Sequence, residues 1–153
     1  MKRFIFLFFV LIIFCKPAYA LIKVDITRGN LEPLPIAVSP LYLELGSEEI
    51  KIEGEIIEDI GASISEVIEN NFRRSGLFNP LKKESFVQEP EVAHMKPRFE
   101  DWKLIKAQAL VTGKILVKDG KLRVEFRLWD IIANKEMVAL AFTTVPNNWR
   151  RVA

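Results

Sequence analysis

The chain carries one histidine, His94, and one cysteine, Cys15, and these two residues bound the chemistry it could do. A catalytic histidine needs a nucleophile within reach and a third group to orient the ring. His94 lies in Glu89–Pro97, a stretch bounded by prolines that reads as a solvated loop. No Ser-His-Asp or Cys-His set assembles around it. One histidine and one cysteine also do not make a metal site. Glu48, Glu49, Glu53, Glu55, Glu58, Glu66 and Glu69 could in principle form an acid–base pair. The spacing places them off the apolar stripe of one long helix, and a helix surface has no cleft to raise one carboxyl pKa above its partner's. Trp102, Trp129 and Trp149 could line an apolar pocket, but their large area is usually buried in a core or an interface. Ser75-Gly76-Leu77-Phe78 is a helix stop with an apolar anchor. No glycine-rich phosphate loop occurs, and no cofactor is implied.

Cys15 belongs to the first twenty residues. Lys2 and Arg3 precede an apolar run from Phe4 to Phe14, and Ala18 and Ala20 flank Tyr19 as small residues before a cut. This is the plan of a secretory signal peptide over residues 1–20, with the mature chain starting at Leu21. The apolar run is shorter than the ~20 residues that span a bilayer. Lipidation at Cys15 would need a small residue at Phe14, and an uncleaved anchor is the other alternative. Lys2, Arg3 and Lys16 leave with the signal, so 22 basic residues fall to 19 against 20 acidic ones. The basicity therefore resides in the signal and does not point to nucleic acid. An exported chain without cysteine has no disulfides, so the mature part must hold together by an ordinary core.

The elements follow from periodicity. Ile22, Val24 and Ile26 alternate with Lys23, Asp25 and Thr27, which predicts a strand ended by Arg28-Gly29. Pro33 and Pro35 precede Ile36-Ala37-Val38. A strand beside prolines is expected at a sheet edge or as a free arm, since proline cannot donate to a ladder. Ile56, Ile57, Ile60, Ile64, Val67, Ile68 and Phe72 predict a helix from about Glu53 to Arg74, closed by Gly76, with Gly61 a weak point inside it. Phe99, Trp102 and Ile105 predict a short amphipathic helix over Arg98–Ala107. Three strands follow: Ala109–Val117, Lys121–Asp130 and Met137–Val145. Asp119-Gly120 predicts a tight hairpin turn with both residues at positive φ. Leu122, Val124, Phe126 and Leu128 should be buried, with Arg123, Glu125 and Arg127 on a wet face. Pro146–Ala153 reads as a helix just starting.

These pieces resemble one family in order and spacing. Ile22–Gly29 with Pro35–Val38, Ser75–Phe78, Trp102, Leu110-Val111-Thr112-Gly113, Leu128-Trp129-Asp130 and Trp149–Ala153 are similar to the N-terminal domain of the TolB family, periplasmic proteins of the Tol–Pal system. The resemblance implies an α/β (α+β) fold. A mixed sheet would carry a long and a shorter helix on one face and end in an antiparallel hairpin or meander. It implies an extended arm over 21–35 and a domain over 36–153, truncated at its last helix and without the family's β-propeller. It also implies that Leu21, Ile22, Lys23, Val24, Asp25, Ile26, Thr27, Arg28 and Gly29 bind the C-terminal domain of a TolA-like partner by strand addition. Binding of Pal, which relies on the propeller, is not implied. The role would lie in envelope integrity and cell division. A small periplasmic hydrolase, an apolar-ligand carrier and a non-functional remnant of a longer gene are the alternatives.

Overall fold

The computed structural model describes residues 32–52 and 55–153. The order is β1 (Leu34–Val38), β2 (Tyr42–Leu43), β3 (Lys51–Ile52), β4 (Glu55–Ile56), α1 (Ile60–Ser75), β5 (Phe78–Pro80), α2 (Pro90–Met95), α3 (Phe99–Leu104), β6 (Ala109–Lys118), β7 (Lys121–Asp130) and β8 (Lys135–Thr144). A 3-10 turn at Lys83–Ser85 and a 3-10 segment at Pro146–Arg151 complete it. The main sheet is six-stranded and mixed. Its order is β5-β1-β6-β7-β8, with β2 also on β6. β1 runs parallel to β5 and β6, and β6-β7-β8 is an antiparallel meander. The fold is α+β, as the sequence pattern and the resemblance imply.

The proline-flanked strand is not at an edge. β1 sits between β5 and β6, and Ile36, Ala37 and Val38 are fully buried. Leu34 N–H donates to the Leu77 carbonyl at 2.9 Å on one side, and the Pro35 carbonyl accepts from Gln108 N–H at 3.0 Å on the other. Pro35 therefore faces a point before the first β6 residue, where its missing N–H breaks no ladder bond. Leu77–Pro80, which reads as a turn, contributes β5 instead.

The long helix begins later than periodicity suggests. Lys51–Ile52 and Glu55–Ile56 pair as a small antiparallel hairpin, and the Asp59 side chain caps α1 by accepting from Ala62 N–H at 2.7 Å. Such a cap is worth about 1 kcal/mol. The isoleucines from 50 to 57 are β-branched, which suits a strand better than a helix. Of the seven glutamates expected on one helix, only Glu66 and Glu69 lie on α1. Gly76 ends α1 at φ 70° with Arg73 and Arg74 in the last turn, as predicted.

Alternation along the strands builds two cores. Ile36, Val38, Val111, Ile115, Leu122 and Val124 meet Ile60, Ile64 and Ile68 of α1 and Trp149 on one face. Ala37, Leu110, Trp129 and Ile131 meet Ala93 of α2 and Trp102 of α3 on the other. The helices are thus divided between the faces, with the long one alone on its side. The face expected to be wet is covered at the Trp129 end. Asp119 (φ 52°) and Gly120 (φ 68°) form the predicted tight turn. Leu122 and Val124 are buried and Arg123 is exposed, but Phe126, Leu128 and Arg127 are only half-buried. The cause is β8, whose residues are exposed almost throughout, so the sheet face beside it is open.

Candidate functional site

The predicted arm, Leu21, Ile22, Lys23, Val24, Asp25, Ile26, Thr27, Arg28 and Gly29, lies outside the described residues, as do the cleavage residues Ala18 and Ala20. The described residues begin at Glu32. Glu32 and Pro33 lead into β1, beside a cavity of about 350 Å³ lined by Leu34, Pro35, Asn79 and Gln108.

His94 is not in a solvated loop. Pro90 takes the first turn of α2, where its fixed φ favours the helix and its missing N–H is no loss. The helix packs on β6 and leaves His94 only 5% exposed. The ring borders a cavity of about 400 Å³ with Tyr42, Glu44, Glu91, Met95, Lys114, Glu125 and Arg127. Lys114 Nζ lies 3.1 Å from Glu44 and 3.9 Å from Glu125, and Arg127 lies 3.3 Å from Glu136. Burial lowers the His94 pKa from 6.5, Arg127 and Lys114 lower it further, and Glu125 and Glu44 oppose them. Among the described residues, His94 Nδ1 has no hydrogen-bond partner. A histidine that works as a general base is oriented by a group on its second nitrogen.

The tryptophans are structural. Trp102 Nε1 donates to Gln88 Oε1 and Trp129 Nε1 to Thr112 Oγ1, at 3.0 and 2.9 Å. Trp149 packs in the α1 core with Arg150 stacked 4.3 Å from its ring centroid. None of the three borders the apolar groove of about 220 Å³ between α1 and the meander. That groove is formed chiefly by Ile68, Phe72, Phe126, Leu128, Val138 and Leu140. Periodicity missed it because it depends on which strand is last in the sheet.

Residues 22–137 match the TolB amino-terminal domain. The chain belongs to the TolB amino-terminal domain family. The Tol-Pal system protein TolB of Pelagibacter ubique (strain HTCC1062) is 65% identical over 147 residues, which is 96% of this chain and 33% of that protein. The chain thus spans about a third of the length of that curated relative. TolB of Acinetobacter baumannii has a crystal structure that superposes with a TM-score of 0.53 at 16% identity, over 80% of this chain and 26% of that one. Lipoprotein GNA1162 of Neisseria meningitidis superposes equally well, with a TM-score of 0.53 at 11% identity, over 74% of this chain and 81% of that one. At such identities the two superpositions speak for the TolB amino-terminal fold alone. Among the described residues, no helix is long and apolar enough to cross a membrane.

Proposed function

We propose that this TolB amino-terminal domain is a periplasmic binding module of a Tol–Pal system, exported by cleavage after Ala20. It binds the C-terminal domain of a TolA-like partner through Leu21–Gly29 and acts by binding rather than catalysis. The observation that carries this reading is the extent of the family match. It begins at Ile22, so the alternating stretch Ile22, Val24, Ile26 belongs to it. An extended segment of that pattern can add to a partner's sheet edge, with main-chain bonds giving affinity and alternate side chains giving specificity. β1, which continues the arm, is buried between two parallel strands and makes a rigid anchor. The packing of all three tryptophans in the two cores favours binding over an apolar-ligand carrier.

The test is a titration of the chain beginning at Leu21 against the TolA C-terminal domain of the same cell. Val24→Asp puts a charge on the buried side of the added strand. An unpaired buried charge costs several kcal/mol, enough to abolish a micromolar complex. Equal affinity for the wild type, Val24→Asp and a chain beginning at Leu34 would overturn the proposal.

A further inference from the structure

Among the described residues, β8 closes one end of the sheet with its outer ladder unpaired. Natural edge strands of this kind are blunted by proline, by charge on the strand, by a bulge or by shortness. β8 has almost none of these. It is ten residues long and contains no proline. Its one register shift, opposite Leu128 and Trp129, falls near its start. From Met137 to Trp149 the chain has no charged side chain. Val138, Leu140 and Phe142 stand on the groove side of the sheet, 43%, 52% and 44% exposed. They continue the apolar row of Phe126 and Leu128, and the Phe126 and Phe142 rings lie 6.1 Å apart.

We infer that β8 pairs with β8 of a second copy of this chain, antiparallel about a two-fold axis at Leu140. The register follows from the residues. An isologous contact sets each position opposite its mirror position about the axis. With the axis at Leu140, Leu140 meets its own copy, Val138 meets Phe142 and Glu136 meets Thr144. No like charges oppose, and every apolar side chain of the row meets an apolar one. Moving the axis by one residue to Ala139 sets Glu136 against Phe142 and loses the match. The pairing places α1 of both copies on one side of a continuous sheet. The two apolar rows then join as the floor between the helices. Directly opposed side chains on adjacent antiparallel strands lie about 5 Å apart, close enough for the Leu140 pair to report on the axis.

The experiment is sedimentation equilibrium on residues 21–153. This span retains the whole sheet and both cores and omits the Phe4–Phe14 run, which could associate on its own account. The expected mass is twice that of one chain at concentrations up to about 0.1 mM, the range of a micromolar contact. Leu140→Glu and Leu140→Lys should each weigh as one chain, since each opposes two like charges at the axis. Their equimolar mixture should weigh as two chains. Leu140 is half exposed, so both variants should keep the wild-type circular dichroism. A wild type that weighs as one chain throughout would overturn the inference. So would a Leu140→Glu protein that still weighs as two, or a mixture of folded variants that stays at one.

Discussion

Gly61→Ala should destabilise the domain, although the same change in an ordinary helix stabilises it by about 1 kcal/mol. Gly61 lies in the first turn of α1, where the helix crosses the chain between β1 and β2. A methyl group there would sit 2.0 Å from the Leu41 carbonyl oxygen, against a shortest tolerable approach of 3.0 Å. The obstacle is backbone and has no rotamer to escape into. Both sides are also tethered. Leu41 N–H donates to the Gly61 carbonyl at 3.3 Å, and the Ser65 hydroxyl is 2.9 Å from the Ser39 carbonyl. Overpacking of this kind costs roughly 1–3 kcal/mol. Each of the two bonds stretched by the separation adds about 1 kcal/mol. The net loss is about 2–4 kcal/mol after the helix-propensity gain. Urea unfolding reads it directly: with a slope of about 2 kcal/mol/M, the middle of the usual range, the midpoint should fall by about 1–2 M. Gly76→Ala is the comparison. Nothing lies within 4 Å of its would-be methyl group, but its φ is 70°, so it should lose only about 1 kcal/mol. A Gly61→Ala protein as stable as wild type would show that the helix does not approach Leu41 as described.

Gln88→Leu should cost about 2–4 kcal/mol in the same assay, because it orphans three groups. Gln88 Oε1 accepts from Trp102 Nε1 and from Arg98 N–H, both at 3.0 Å, and Nε2 donates to the Lys96 carbonyl at 3.3 Å. A loss below ~0.5 kcal/mol, the usual size of a surface change, would contradict this hub. His94 sets a pH dependence. Its folded pKa is depressed, so the unfolded chain takes up the proton first as pH falls. Stability should be full above about 6.5 and fall as pH drops below that toward the folded value, by up to ~1.4 kcal/mol per pH unit. His94→Gln should remove that slope, and an unchanged slope would assign it to other groups. Gly120→Ala should lose about 1 kcal/mol from its positive φ in the β6-β7 turn. A wild-type melting temperature for this variant would refute the turn.

The parts of the fold that local pattern determines were legible. Lys121–Asp130 shows its alternation, Asp119-Gly120 its turn and Gly76 its helix stop, because each signal lies within a few residues. What failed depended on distant partners. Pro35 marks an edge only if the neighbouring strand needs its N–H, and β6 begins one step too late to need it. His94 reads as solvated until α2 is laid on β6. Gly61 reads as a defect until Leu41 is placed against it. The arm reads as an alternating strand but lies outside the described residues, and its binding role rests on the family resemblance. The open groove was invisible, since periodicity cannot say which strand of a meander is last.

Among the described residues β1 is the first strand of the main sheet along the chain, yet it fills a slot between β5 and β6. Its partner Ala109 comes only after three helices. The β6-β7-β8 meander, by contrast, closes through two short turns. Contacts near in sequence form fast and those far apart form slowly. The meander is therefore expected to form early in folding, with insertion of β1 as the late, rate-setting step. During synthesis β1 can meet β5 before β6 is made, but its second neighbour is missing until Ala109 and the residues after it have emerged, so the main sheet stays incomplete for much of the domain's translation.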